Sequence, residues 1–183
     1  MATLIDSYSE TNQDAVLTQS SANRQGVGQV FTGDGSTLDS AKFYLQIATG
    51  TPTGNITARL YASTGTKGST AKPANASSPL AESDAVNATS IGASLALVTF
   101  TFSGVNRISL ANGTDYVLVC WYPNGDGSNN LNIGYDSSSP THSGNFAQTT
   151  NTGATWTAGA TLDTVFYVYG VPSSSFVPKI IMF

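Results

Sequence analysis

Aromatic rings beside amide and carboxylate groups are the side chains of this 183-residue chain best suited to bind a ligand. Rings stack on the apolar faces of sugars, while amides and carboxylates bond to the hydroxyls. The candidates for glycan binding are Trp121, Tyr122, Tyr135, Asp136, Asn145 and Trp156. Trp156 lies in a polar stretch, so we expect it to be the most exposed of them. The alternative is that the tyrosines and Trp121 line the core and that Trp156 closes one end of the fold.

Residues that could perform catalysis are scarce. The single histidine, His142, lies in a loop-like segment, and no Gly-x-Ser-x-Gly motif surrounds any serine. The two glutamates, Glu10 and Glu82, fall in a predicted arm and a predicted loop. A glycosidase pair drawn from the aspartates is the alternative. We therefore predict a protein without catalytic residues that is not an enzyme, and a hydrogen-bonding role within a loop for His142.

Cysteine and metal chemistry are also weakly represented. Cys120 is the only cysteine, which excludes an internal disulfide, and its apolar neighbours predict a small buried side chain. Oxygen-bearing side chains alternate along residues 124–130, as they do in calcium loops. Asn129 and Tyr135, however, stand where the helical calcium loop requires glycine and glutamate. We predict a polar hairpin tip with no metal and no cofactor, with a structural calcium ion as the alternative.

The composition favours a single β-rich domain. Hydrophobic residues make up 40% of the chain and charged residues only 10%, with 18 glycines and seven prolines as turn formers. A net charge of −4 argues against binding to a nucleic-acid backbone. No apolar run approaches the ~18 residues of a membrane span, and the first residues lack the features of a secretory signal. We therefore expect synthesis in the cytoplasm and no association with a membrane.

Alternating apolar and polar residues predict a succession of short strands. The predicted strands cover residues 38–47, 56–62, 95–102, 107–110, 116–122, 131–135 and 164–169. The strand 116–122 is apolar on both faces, which predicts a central position covered from both sides. Asn112-Gly113 is typical of a tight hairpin that leads into this strand. The fold class is therefore all-β, an antiparallel jelly-roll β-sandwich.

The two ends of the chain differ from its body. We divide it into an N-terminal arm or first strand (1–25), the jelly-roll β-sandwich (26–170) and an apolar C-terminal tail (171–183). Apolar surface left in water is costly, so we expect the tail to pack. It either folds back onto its own sheet or docks on a neighbouring subunit. The predicted docking residues are Phe176, Val177, Ile180, Ile181, Met182 and Phe183.

Several segments resemble a mostly uncharacterised family of jelly-roll, carbohydrate-binding-like β-sandwich proteins seen in tailed-phage and environmental sequences. The similar segments are 4–13, 28–33, 38–45, 52–61, 112–116, 134–145 and 165–169. Segment 134–145 is the most distinctive of them. The resemblance implies a virion surface component or a carbohydrate-binding-like module, and the family offers no catalytic residues to carry over.

These observations lead to two hypotheses about function. The first is a non-enzymatic virion structural protein of a tailed phage, decorating the capsid or attached to the tail. Its partners would be other virion proteins or further copies of itself in a homo-oligomer, and its location the virion. The alternative is a carbohydrate-binding module or adhesin that recognises cell-surface glycans.

Overall fold

The computed structural model describes residues 1–74 and 78–173, and it confirms the predicted all-β, antiparallel sandwich. The apolar tail residues 176–183 lie outside the described residues. Three short 3-10 turns, Glu10–Asn12, Ala88–Ser90 and Gly104–Asn106, join strands. The strands are β1 (Thr3–Tyr8), β2 (Ala15–Gln19), β3 (Gly26–Thr32), β4 (Thr37–Thr49), β5 (Asn55–Thr64), β6 (Lys72–Pro73), β7 (Ala81–Glu82), β8 (Val86–Asn87), β9 (Ala96–Thr101), β10 (Asp115–Trp121), β11 (Asn130–Asp136), β12 (Phe146–Thr149), β13 (Thr157–Gly159), β14 (Asp163–Thr164) and β15 (Phe166–Val171).

The first sheet has the strand order β1-β15-β4-β11-β14, with β2 beside β11 and β9 beside β4. Its centre is the long strand β4, where Phe43 is paired with Phe166 of β15 on one edge and with Val98 of β9 on the other. The N-terminal segment, predicted as an arm or first strand, supplies both β1 and β2 to this sheet. The first and the last strand of the described residues are therefore paired, β1 with β15.

The second sheet has the order β13-β12-β3-β10-β5-β6, with β7 and β8 also paired to β5. Strand β10 lies between β3 and β5, as its two apolar faces predict. Gly28 of β3 is opposite Val119 of β10, and a Cβ at Gly28 would lie 2.1 Å from the carbonyl oxygen of Leu118. Glycine at this position thus permits a close approach of the two strands.

The main core fills the space between the sheets. One side chain in two along each strand points into it, for example Ala41, Phe43 and Leu45 of β4, and Leu118 and Cys120 of β10. Cys120 is fully buried, which confirms the prediction of a small buried side chain, and this burial raises the pKa of its thiol.

A second, smaller apolar cluster covers the outer face of the second sheet. Val117, Val119 and Trp121 of β10 project away from the main core into this outer cluster. Tyr61, Ala71 and Trp156 are among the residues that pack on them. The two faces of β10 are therefore buried in two different cores, which explains why its sequence does not alternate.

The Asn112-Gly113 prediction is half right. The turn exists, with a positive φ of 75° at Gly113 and a hydrogen bond from the Thr114 N–H to the Ala111 carbonyl. The hairpin is wrong, because β10 pairs with β3 and β5 rather than with residues 107–110. Those residues form a single bridge, from Ser109 to Thr37 of the first sheet. The turn therefore carries the chain from one sheet to the other.

Candidate functional site

The outer face of the first sheet carries three partly buried tyrosines whose rings keep some contact with solvent. In β4, Lys42 and Tyr44 alternate with the buried core residues and so project outward. Tyr167 of β15 lies directly opposite Lys42, and Tyr169 lies opposite Ser40. Directly opposed residues share a face of the sheet. We call Lys42, Tyr44, Tyr167 and Tyr169 the tyrosine face.

The rings of Tyr167 and Tyr169 are held in a defined arrangement. Their centroids are 6.4 Å apart and their planes differ by only 12°. The ammonium nitrogen of Lys42 lies 5.4 Å from the centroid of Tyr169, within the range of a cation–π contact. The hydroxyl of Tyr167 donates a hydrogen bond to the carboxylate of Glu10. That bond lowers the pKa of Glu10, while burial and the same bond raise the pKa of Tyr167.

Tyr44 is positioned by a glycine in the neighbouring strand. A Cβ at Gly134 of β11 would lie 2.9 Å from the Cδ1 of Tyr44 and 3.1 Å from the Cγ of Gln13. Any larger residue at position 134 would therefore displace the ring. The absence of a side chain there lets Tyr44 lie against the sheet with part of its ring accessible to solvent.

A polar cleft of about 520 Å³ lies beyond Tyr44 at the end of β4. Its walls come from β2, β4, β11 and the loops beside them. The lining residues are Thr18, Ser20, Ala22, Asn23, Ala48, Thr49, Gly127, Asn130 and Asn132. None of these residues has an ionisable side chain, so the lining itself offers hydroxyl and amide groups. The guanidinium of Arg24 lies next to it and donates a 3.1 Å hydrogen bond to the side-chain oxygen of Asn23.

The tyrosine face and the polar cleft form one continuous surface. Asn132 of β11 pairs with Thr18 of β2 on one side and with Gln46 of β4 on the other. Gln46 is two residues from Tyr44, on the same face of β4. Apolar rings next to neutral hydrogen-bonding groups are the chemistry that a protein uses to hold a sugar.

The exposure predicted for Trp156 is wrong. Its side chain is only 7% exposed and packs on Tyr61, with the ring centroids 5.6 Å apart. The polar residues around Trp156 give no sign of this burial, because its partner Tyr61 lies in β5, far away along the chain. Trp121 is equally buried in the same outer cluster. Trp156 therefore closes the outer layer of the second sheet.

The other four candidates lie elsewhere, and the structure does not assemble the six into one surface. Tyr122 is fully buried and donates a hydrogen bond of 2.9 Å to the carbonyl of Thr53. Asn145 is fully buried, and its amide nitrogen donates to the Ala71 carbonyl. Tyr135 is half-exposed with its ring 6.5 Å from that of Phe146, and Asp136 is buried.

Asp136 belongs to a polar cluster that anchors the loop 137–145 to the end of the sandwich. Its carboxylate accepts a 2.5 Å bond from the hydroxyl of Tyr8 and 3.0 Å bonds from the N–H groups of Ser138 and Ser139. The six members of this end cluster are Asp6, Tyr8, Gln29, Asp136, His142 and Asp163. The carboxylate of Asp136 is thus already satisfied within the protein.

His142 is the centre of the end cluster, and its predicted hydrogen-bonding role in a loop is confirmed. Its Nδ1 accepts the Gly144 N–H at 3.0 Å and lies 3.1 Å from the amide nitrogen of Gln29. Because both neighbours are donors, Nδ1 carries no proton, and the proton is on Nε2. Nε2 in turn lies 3.2 Å from the carboxylate of Asp6.

The one carboxylate of the loop at residues 124–130 is exposed and bonds to the loop's own backbone. Oδ1 of Asp126 accepts the N–H groups of Ser128 and Asn129 at 2.7 and 2.8 Å. These bonds lower the pKa of Asp126. Over residues 1–74 and 78–173, no three histidine, cysteine, aspartate or glutamate side chains are grouped so that they could hold a metal ion. The loop is a hydrogen-bonded turn, but the predicted hairpin tip is wrong, because β10 and β11 on either side of it lie in different sheets and do not pair.

The tyrosine face is absent from the residues predicted to bind a ligand, although the pattern of its strands indicates it. Tyr44 alternates with core residues of the strand predicted at 38–47, and Tyr167 and Tyr169 do the same at 164–169. Strict alternation predicts that these three rings lie on the solvent side of a sheet. The pattern within a single strand does not show that β4 and β15 are neighbours in the sheet.

The fold is an all-β sandwich of two antiparallel sheets. The chain is similar to a crystal structure of the cysteine protease and lectin-like domains of Cwp84, a surface-layer-associated protein of Clostridium difficile. The TM-score is 0.51 with 14% identity, over 86% of this chain and 33% of that chain. The chain therefore spans about a third of that protein's crystallised length, and the likeness is one of fold.

Comparison by sequence adds no relative. No family model matches the chain, and no curated protein matches it. In the part of the chain that the structure describes, no helix has the length and hydropathy that a membrane span requires.

Proposed function

We propose that this protein is a carbohydrate-binding module that holds a glycan on the outer face of its first sheet. The observation that carries the proposal is the tyrosine face, continuous with the polar cleft. Two of its rings are nearly parallel, and the third, Tyr44, is two residues from Gln46, which lies opposite the cleft residue Asn132. The lectin-like fold supports the same conclusion at the level of architecture.

The contrast between the two sheets supports the choice of this face. On the second sheet, the outward aromatic rings Tyr61, Trp121 and Trp156 are buried in the outer cluster. On the first sheet, the outward rings of Tyr44, Tyr167 and Tyr169 are only partly buried among the described residues. Rings that are kept partly exposed beside hydrogen-bonding groups are typical of ligand-binding surfaces.

The electrostatics of the face favour an uncharged or weakly charged ligand. Lys42 and Glu10 both lie near Tyr167 and Tyr169, and the carboxylate of Glu10 accepts a hydrogen bond from the hydroxyl of Tyr167. Lys42 is placed over the ring of Tyr169. Opposite charges close together produce little net field, so affinity must come from ring stacking and from neutral hydrogen bonds.

The test is a binding screen with immobilised plant, fungal and bacterial polysaccharides, followed by titration of any binder. Replacing Tyr44→Ala removes a ring from the middle of the face and should weaken binding about tenfold, or ~1.4 kcal/mol. Tyr44→Phe keeps the ring and should retain most of the affinity. Lys72→Ala, an exposed change on the second sheet, is the matched control. Failure of every polysaccharide to bind the wild-type protein would overturn the proposal.

A place on the surface of a tailed-phage particle remains our second proposal. It rests on the resemblance of segment 134–145 and on the apolar residues 176–183, which lie outside the described residues. The two proposals are compatible, since a glycan-binding domain can be displayed on a particle. Mass spectrometry of purified particles tests the second one, and absence of the chain from them would contradict it. Such a role requires no enzymatic activity.

A further inference from the structure

We infer that the polar cleft is a subsite for one uncharged sugar unit, and that it fixes the position of a glycan lying along β4 over the tyrosine face. This inference rests on the proposed function and adds to it a second site of different chemistry. Stacking on the rings of the tyrosine face does not fix the orientation of a sugar, whereas the hydrogen-bond donors and acceptors of the cleft do.

The amides in the cleft have hydrogen-bonding capacity left for a ligand. Asn132 accepts a 3.2 Å bond from the hydroxyl of Thr18 on its Oδ1, and its amide nitrogen has no partner among the described residues. Asn130 is buried at 6% exposure and donates from its amide nitrogen to the carbonyls of Asp126 and Gly127, so its side-chain oxygen is the group left to accept a hydrogen bond at the floor of the cleft. A donor and an acceptor side by side match the hydroxyl groups of a sugar.

The cleft is formed before any ligand binds. Asn130 ties the loop at 126–127 to β11, and Asp126 holds the backbone of Ser128 and Asn129. On the opposite wall, the Ser21 N–H and hydroxyl bond to the carbonyls of Asn124 and Gly125, at 2.9 and 2.6 Å. Walls held by their own hydrogen bonds reduce the entropy that binding must otherwise cost.

The character of the lining selects the class of sugar. No lysine or arginine lines the cleft to pair with a carboxylate or sulfate, and no acidic residue lines it to pair with an amine. A charged sugar would lose its hydration without gaining a partner, which is costly in a recess. A neutral hexose or N-acetylhexosamine would meet hydroxyl and amide groups only.

The geometry sets the length of the ligand. The cleft residue Asn132 is opposite Gln46, which is two residues from Tyr44 in β4, about 7 Å along the strand at ~3.3 Å per residue. Asn132 lies one strand further across, so a ligand of two or more linked sugar units is needed to contact both the cleft and Tyr44. Affinity should therefore rise with chain length until both are occupied.

The experiment compares mono- to hexasaccharides of neutral glycans (cellulose, chitin, mannan and galactan fragments) with oligogalacturonates as the acidic set. Titrations would use the wild-type protein, Asn132→Ala and Tyr44→Ala. The control is Asn112→Ala, which changes an exposed asparagine in a turn outside the cleft. We expect Asn132→Ala to abolish the gain in affinity that longer neutral chains show, a loss of about tenfold, and to leave the weak binding of short fragments unchanged. Tyr44→Ala should weaken both, and Asn112→Ala neither.

The outcomes separate the two claims. If Tyr44→Ala weakens binding while Asn132→Ala has no effect, the cleft is not a subsite and the proposed function stands. If acidic chains bind better than neutral ones, the inferred class of sugar is wrong. If no oligosaccharide binds the wild-type protein, both claims fail. Thermal unfolding of each variant, together with a milder Asn132→Ser change, shows whether a loss reflects the cleft or the fold.

Discussion

The imidazole of His142 and the carboxylate of Asp6 face each other across 136 residues of sequence, with Nε2 3.2 Å from both carboxylate oxygens. Asp6 lies in β1 at the edge of the first sheet, and His142 lies in the loop 137–145. The imidazole is only 7% exposed. This pair therefore joins the first strand of the chain to the loop that closes the end of the sandwich.

Asp6→Ala should destabilise the protein measurably. It leaves the Nε2–H of a buried imidazole without an acceptor, which costs about 1–3 kcal/mol of the free energy of unfolding. Chemical denaturation of the two proteins measures the difference. Asp39→Ala is the matched control, since it breaks a more exposed ion pair with Arg107 at 3.0 Å and should cost at most ~1 kcal/mol. Equal losses for the two variants would contradict the role assigned to His142.

Asp163 should give the folding stability a distinctive dependence on pH. It is buried at 2% exposure, and desolvation raises its pKa, although the His142 N–H and the Gln29 amide both donate to it. A raised pKa means that the folded state favours the protonated form. Its contribution to stability is therefore fully present below the unfolded pKa of about 3.9 and is lost as the pH rises through the folded pKa.

Asp163→Asn removes this titration. Relative to the variant, the wild-type protein should be most stable at acidic pH and should lose that advantage as the pH approaches neutrality. Urea denaturation of both proteins at several pH values from acidic to neutral measures the difference in their free energies of unfolding. A difference in unfolding free energy that stays constant with pH would show that burial of Asp163 does not affect its titration.

Trp156→Ala should act on stability and not directly on ligand binding. The side chain fills the outer cluster against Tyr61, so its loss should cost about 3–5 kcal/mol. Trp156→Phe keeps part of the ring and should cost less. Thermal unfolding gives the comparison. A variant that kept full stability and lost glycan binding would place the binding surface on the second sheet and restore the expectation drawn from the sequence.

The strands were predictable because their signal is local. Phe43 and Leu45 alternate with Lys42 and Tyr44 within a single strand, and β10 reads as buried on both sides from its own residues. The period of two in a half-buried strand depends only on which face meets the core. The same alternation predicts that Tyr167 and Tyr169 point outward, but it does not predict which strand lies beside them.

The turn at Asn112-Gly113 shows what a local sequence signal does not determine. The dipeptide specifies a reversal of the chain, and the reversal occurs. Whether the flanking segments then pair depends on competition with other strands. β10 gains two full-length neighbours in β3 and β5, far more pairing than residues 107–110 could offer.

The amino-acid sequence by itself determined an all-β sandwich, the faces of its strands and the burial of Cys120, because side-chain alternation and turn chemistry act over a few residues. Only the tertiary structure decided that Trp156 is buried, that Asp6 reaches His142, and that Tyr44, Tyr167 and the polar cleft share one surface. These relationships join residues that are distant along the chain. They follow from the order of strands in each sheet, which is set by the packing of the whole chain.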